Sequence, residues 1–388
     1  MSGRMNSDGE KSSKSRIWGS DIIADALREQ DIPYVCLVPG ASFRGLQDSI
    51  VNHLGNETPK ILVCLHEEHS VSIAHGWAQV TNEPLAAIVH TNVGLMHATM
   101  TIFNVWCDRM PAIIIGATGP ADAEKRRPWI EWIHTSIDQG ALVRDYTKWD
   151  DQPGSAAAAV ESIRRASLLS RTSPMGPVYI NIDVAIQEEW VDKNPAFFDL
   201  DQYRPPQPTR PSATDVDAAY HLLARAEKPL ILIGRVSRDE TGWSDRIRLA
   251  EAFNAGVFSI YNSGGGFPKS HALHRGVLKL TIDDAAREKL ATADVILSLD
   301  WTDLGGTVEQ VWPRGEKLPN IINCSNDFHL HRGWSMDYHR LQPATLRIAT
   351  TPDAIVSALL DKCEQMHHTH PASAGLRRRS GWSTRSTF

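Results

Sequence analysis

Ile61-Leu62-Val63-Cys64-Leu65-His66-Glu67-Glu68 begins as five apolar residues and breaks at once into charge, after which apolar side chains return at helical spacing from His69 to Val80. An unbroken apolar run with two β-branched members fits a strand covered on both faces. His66-Glu67-Glu68 therefore falls where a strand ends and a helix begins. In open parallel sheets that is the end at which ligands bind. The same alternation continues on either side. Ser20 to Gln30 reads as a helix, with Ile22, Ile23, Ala26 and Leu27 on one face and Ser20 or Asp21 as its cap. Tyr34 to Val38 is a buried strand ending in the Pro39-Gly40 turn, and Phe43 to Leu54 returns to helical spacing. Leu85–Val89 and Ala112–Ile115 are further strands, with a helix between Leu95 and Trp106; Val178–Ile182 reads as the last strand of this unit. Apolar strands alternating with amphipathic helices predict a doubly wound α/β domain around a parallel sheet.

Farther along, Phe197 to Pro211 is rich in proline and polar residues and reads as a linker. A second α/β unit follows, with strands at Leu230–Gly234, Val257–Tyr261 and Asp294–Leu299 and a helix at Asp245–Phe253. Ile321-Ile322-Asn323 is expected to close its sheet, and Asp353 to Leu360 to form a terminal helix. The expected organisation is a disordered N-terminus over 1–16, a first domain over 17–190, a linker over 191–213, a second domain over 214–362, and a disordered basic tail over 363–388.

Composition sets the class. A chain of 388 residues suggests two or three domains, and 42% hydrophobic with 22% charged residues is ordinary for a water-exposed globular protein. A net charge of −6 argues against nucleic acid as a partner, and no apolar run is long enough to span a bilayer. The polar first 16 residues lack the apolar core of a secretory signal. Five scattered cysteines without a CxxC pair read as buried thiols in a reducing cytoplasm. Cytoplasmic localisation is the expectation.

The strongest chemical signal is Glu67, a carboxylate at a strand's carboxyl end whose charged form the next helix's N-terminus favours. Position alone allows a plainer reading, in which Glu67 and Glu68 merely complement the helix dipole. His69 and His75 read as helix-face residues. Trp129 and Trp132 with Arg126 and Arg127 make an aromatic and basic loop, suited to a substrate entrance, a partner chain or plain solvent. Gly264-Gly265-Gly266 follows a strand, but a lone glycine run is weak evidence for phosphate binding, and Gly234-Arg235-Val236-Ser237 lacks the spacing of a dinucleotide fingerprint.

Taken together, the motifs resemble those of thiamine-diphosphate-dependent enzymes of the acetolactate synthase and benzoylformate decarboxylase type. His66-Glu67, then Ala74, then Gly76-Trp77-Ala78-Gln79 resembles the family's pyrimidine-binding signature, with Gln79 and Trp77 in place of the usual Arg and Tyr. Val38-Pro39-Gly40-Ala41-Ser42-Phe43 resembles the first strand-to-helix turn, where a Pro-Gly pair brings backbone near the cofactor. Ala87 to Gly94, followed by His97, resembles the family's glycine-rich loop, with one glycine and the proline lost. Asp108-Arg109-Met110-Pro111 resembles its turn into the next strand. Lys228–Gly234, Gly264–Pro268 and Ala293–Leu297 fit the order of its central domain.

The resemblance implies that Glu67 is the activating glutamate, with Pro39 and Gly40 also at the cofactor. That carboxylate would share a proton with N1′ of the aminopyrimidine, preparing the thiazolium to attack a 2-keto acid and act as its electron sink. His90 and His134 fall near positions that reach substrate in the family, although a histidine holding one backbone hydrogen bond fits each equally well. Thiamine diphosphate is the implied cofactor, with only part of its site present. Mg²⁺ is expected for the family, but its ligands are absent from this chain: no Gly-Asp-Gly occurs in the sequence. FAD is not expected in the central domain. The expected partner is a second copy, or a separate chain carrying the diphosphate-binding domain, and the small molecule a 2-keto acid. The alternative is a truncated, non-catalytic or regulatory homologue that keeps the fold and the dimer surface.

Overall fold

The computed structural model describes residues 16–128, 131–192, 200–313, 315–329, 341 and 343–369. Each of two domains is built on a six-stranded parallel sheet. The first contains β2 (Tyr34–Leu37), β3 (Lys60–Val63), β4 (Ala86–Ile88), β5 (Ala112–Thr118), β6 (Asp150–Asp151) and β7 (Pro177–Asp183), in the spatial order β3-β2-β4-β5-β7-β6. Its helices are α1 (Gly19–Glu29), α2 (Arg44–Asp48, running on as a π-turn over Ser49–His53), α3 (Glu67–Thr81), α4 (Thr91–Cys107), α5 (Glu131–His134), α6 (Ala156–Arg171) and α7 (Val184–Gln187). All seven residues of both β5 and β7 are buried, because helices cover both faces. Strand β1 (Arg16–Trp18) pairs antiparallel with β8 (Trp190–Asp192), tying the two ends of this domain together, and Trp18 stacks on Trp190 with ring centroids 3.9 Å apart.

The second domain holds β9 (Pro229–Ile233), β10 (Gly256–Ile260), β11 (His274–Leu278), β12 (Val295–Leu299), β13 (Asn320–Cys324) and β14 (Leu346–Ile348), ordered β11-β10-β9-β12-β13-β14. Helices α8 (Ala213–Arg225), α9 (Glu240–Phe253), α10 (Asp284–Ala291), α11 (Leu304–Val311) and α12 (Pro352–Thr369) cover it. The expected strand at Ile321-Ile322-Asn323 lies within β13 but does not close the sheet, because β14 pairs beyond it.

Several boundaries move. Residue 16 is not disordered, since Arg16 pairs with Asp192. That pairing also keeps residues 191 and 192 in the first domain, so they are not linker. Residues 363–369 continue α12 and do not begin a disordered tail: Cys363 packs in the central core, 5% exposed. Residues 1–15 and 370–388, where disorder is expected, lie outside the described residues. Helix α1 starts at Gly19, with the Trp18 N–H donating to Asp21 Oδ2 at 3.1 Å, so neither Ser20 nor Asp21 is the cap residue itself. Of the segment 87–94 expected as a glycine-rich loop, residues from Thr91 onward already belong to α4. All five cysteines are free; Cys107 is half-buried and the others buried. Among the described residues no helix is long and apolar enough to cross a membrane.

Candidate active site

Strands β3 and β4 leave β2 in opposite directions across the sheet, so their carboxyl ends flank a topological switch point. Pro39-Gly40 leaves β2 there, His66-Glu67 leaves β3, and His90 leaves β4. The sequence-predicted residues are thus brought together by topology, although the segments are separated in the chain.

His66 is the N-cap of α3: its Nδ1 accepts the Glu68 N–H at 3.2 Å. That bond fixes the entry of the helix and turns Glu67, its first residue, inward, where it is 8% exposed, while Glu68 stays in solvent. Helix α4 crosses Glu67 at Gly94, where a Cβ would lie 3.0 Å from both Glu67 Cγ and Oε1. Glycine is needed here for close approach. One turn later, His97 Nδ1 stands 3.5 Å from Glu67 Oε2.

His90 caps the space from the other side. Its Nδ1 is 2.8 Å from Ser42 Oγ, and its ring lies edge-on to Phe43 and 4.8 Å from the ring of His134. A Cβ at Gly40 would sit 2.8 Å from the His90 ring, so Gly40 makes room for this histidine. Burial lowers the His90 pKa, the neighbouring His134 lowers it further, and Glu67 opposes them; the ring is held neutral at pH 7. Ser42, His90, Thr91, Arg127, His134 and Thr135 line a small hollow. Thr91 Oγ1 and His134 Nδ1, from two residues that line it, and Oδ1 of Asn92, the next residue after Thr91, are buried without a protein partner. Unsatisfied buried polar atoms are uncommon and mark where a ligand's polar groups would be accommodated. Ser42 was not legible as a partner of His90, because only the folded sheet carries it there; Arg127, whose loop reads from the sequence as suited to a substrate entrance, a partner chain or solvent, lines the hollow. Trp129 lies outside the described residues, and Trp132 is largely exposed.

The remaining motif residues form the frame. Gln79 Nε2 donates to Asp108 Oδ2 at 2.9 Å, and His75 Nε2 stands 3.1 Å from the same oxygen. Burial would raise the Asp108 pKa, but the hydrogen bonds and charges of His75, Gln79 and Arg238 outweigh it and hold the carboxyl below its usual range. Arg238 in turn donates to Gln79 O at 2.8 Å, linking the motif helix to the second domain. Gly264, at φ +59°, lies against the Arg238 guanidinium, so that glycine run serves packing in this structure.

The second domain's own switch point, between β9 and β12, is spanned by a buried ion-pair network. Arg109 from the first domain pairs with both oxygens of Asp327, Nε at 2.7 Å and Nη2 at 3.0 Å. Arg235 pairs likewise with Asp300, at 2.9 and 3.2 Å, and also reaches Asp327. Burial and the nearby Asp327 charge raise the Asp300 pKa against the pull of Arg235, whereas two guanidiniums hold Asp327 well below its usual range despite burial. A cleft of about 370 Å³ remains beside this network. Another cleft, about 710 Å³, lies against α1 and α2 and includes none of the converging residues above.

Residues 17–142 match the thiamine pyrophosphate enzyme N-terminal TPP binding domain, and residues 216–375 match the central domain of the same enzymes. By these two domains the chain belongs to the thiamine pyrophosphate enzyme family. It is 24% identical over 285 residues to a probable acetolactate synthase large subunit of Methanocaldococcus jannaschii, covering 72% of this chain and 46% of that protein. It is also 24% identical over 303 residues to a sulfoacetaldehyde acetyltransferase of Rhodobacter capsulatus, covering 76% of this chain and 48% of that protein. The fold matches a benzoylformate decarboxylase structure from Polynucleobacter necessarius with a TM-score of 0.70 at 19% identity, over 89% of this chain and 61% of the other. The chain thus spans about half the length of the curated relatives it matches.

Proposed function

We propose that this chain supplies the aminopyrimidine half of a thiamine-diphosphate site acting on 2-keto acids, in decarboxylation or carboligation. The observation that carries the reading is Glu67: a carboxylate sunk at the switch point, with partnerless buried polar atoms at the start of the neighbouring helix α4. When bound, thiamine diphosphate would supply the carbon nucleophile and the electron sink. The chain's own part is narrower. Glu67 holds or gives a proton at the pyrimidine N1′ position, in surroundings with little water. Gly94 lets α4 close over it. Neutral His90, oriented by Ser42, and His134 border the side from which a keto acid would approach; the hollow between them, about 20 Å³, has room for no more than a water molecule and must widen to admit the acid. Pro39 and Gly40 line the approach.

The diphosphate and its Mg²⁺ require groups other than these 388 residues, since the sequence holds no Gly-Asp-Gly. We assign them to a partner chain. An apolar stripe suits such a partner: Leu65 after β3, Ile73 and Val80 on α3, and Met96 and Met100 on α4 are 93%, 41%, 77%, 53% and 59% exposed. A run of this kind beside a site marks an interaction surface. The reading of a non-catalytic homologue makes the opposite prediction at Glu67. Calorimetric titration of the full chain with thiamine diphosphate and Mg²⁺ separates the two. Weak binding that Glu67→Gln reduces by about tenfold or more supports the site, following the greater cost of breaking a buried charged hydrogen bond. Binding that is absent, or indifferent to the substitution, supports the non-catalytic homologue.

A further inference from the structure

Two histidines stand beside Glu67 that the proton exchange does not use. His66 and His97 stack with ring centroids 4.8 Å apart and planes at 17°, and His97 Nδ1 approaches Glu67 Oε2 at 3.5 Å. One ligand atom from each of His66, Glu67 and His97 lies within 4.8 Å of the others, the one such grouping of three among the described residues. We propose that these three side chains form a binding site for a transition-metal dication, with Zn²⁺ the best match.

The donor set points to that class of ion. Two imidazole nitrogens and one carboxylate oxygen, with a position left open, suit zinc and its neighbours in the first transition row. They do not suit Mg²⁺, which prefers oxygen and water throughout. At tetrahedral angles, bonds of about 2.0–2.2 Å place ligand atoms about 3.3–3.6 Å apart, so the present spread must contract by about 1.2–1.5 Å. His97 can supply that movement, since its side chain is 51% exposed and sits on a helix surface. Three effects oppose binding. The stacked His66 and His97 rings lie in nearly parallel planes, so one must rotate before both lone pairs meet a single ion. The N-terminal end of α3 disfavours a cation, and His66 Nδ1 must release the Glu68 N–H or turn its other nitrogen to the metal. Three ligands and these costs place the site below four-ligand structural zinc sites in affinity.

Metal binding does not depend on the function proposed above. Its consequence does: zinc would occupy the carboxylate that the aminopyrimidine needs, so zinc and thiamine diphosphate would exclude each other.

The test uses the full chain with His367, His368 and His370 changed to alanine, because that histidine-rich stretch is itself a metal ligand source. Calorimetric titration with Zn²⁺ should show one equivalent bound. Outer-shell changes alone cost about 10–100-fold at metal sites, so His97→Ala and Glu67→Gln should each weaken binding at least about tenfold. His271→Ala, at the His271–Glu251 pair of the second domain, should leave it unchanged. Circular dichroism checks that each variant folds. Titration with Co²⁺ gives a second readout, since a low-coordinate site yields intense visible absorption that His97→Ala should remove. No zinc binding, or binding that survives both substitutions, overturns the site. Zinc binding at His97 and Glu67 that thiamine diphosphate fails to displace keeps the site and refutes the shared carboxylate.

Discussion

The two domains repeat one architecture and differ most where each sheet's strand order reverses. In the first, the switch point holds one buried acid, a neutral histidine and polar atoms without partners. In the second, the same location is crossed by Arg109–Asp327 and Arg235–Asp300, whose charges are mutually satisfied. A fold fixes where a site can be, and the side chains at the strand ends decide whether that place binds or only holds the molecule together. The first domain leaves Thr91 Oγ1, Asn92 Oδ1 and His134 Nδ1 without a protein partner near its strand ends. The second uses Asp327 to clamp the domains through Arg109.

Breaking the clamp should have the largest effect. Asp327→Ala leaves two buried guanidiniums without their shared carboxylate, and stability should fall by about 3–5 kcal/mol in urea unfolding. A loss below about 1 kcal/mol would mean that the network is not structural. The opposite signature is expected in the first domain. Gly94→Ala adds a methyl 3.0 Å from Glu67 but raises helix propensity. Thiamine diphosphate binding should weaken by about tenfold, or about 1.4 kcal/mol, while unfolding stability falls by less than that, the gain in helix propensity offsetting part of the crowding. Loss of stability with binding intact would reverse the assignment of roles.

The smallest effect sharpens the contrast through pH. Folded His90 titrates below the usual imidazole range, through burial first and His134 second. The unfolded chain therefore takes up its proton first, at about pH 6.5, and this contribution to stability is complete above that pH and declines as pH falls toward the folded value. His90→Gln should flatten the stability loss between about pH 7 and pH 5.5. His274 in the second domain, also lowered by burial, then by Lys269 and His271, should leave a residual slope. An unchanged profile would show that His90 is not held neutral by the fold.

These contrasts also explain what the sequence could reveal. Glu67 was legible because strand, charged break and helix follow one another within twenty residues, and the physical reason for each is local. Both parallel sheets were legible for the same reason, through continuous apolar runs. Strand β3 was read from such a run too, although it is an edge strand whose residues are half-buried or exposed and not covered on both faces as expected. The other edge strands were not legible: β6 is two residues long, and β11 and β14 are only partly buried and lack such a run. Contacts made by topology left no local trace. Ser42 meets His90 across 48 residues, and Arg109 meets Asp327 across 218. His97 carried a weak signal, since its spacing of three from Gly94 places both on one face of α4. The helical start at Thr91 was hidden because its φ of +43° departs from the pattern a helix start ordinarily shows.

The account stands on the proton exchange at Glu67. Nuclear magnetic resonance can follow deuterium exchange at the thiazolium C2 of thiamine diphosphate, mixed with the full chain and Mg²⁺ at high cofactor concentration. The account predicts exchange faster than for the cofactor alone, returning to the free rate with Glu67→Gln. No acceleration by the native chain, or equal acceleration by the glutamine variant, would contradict it.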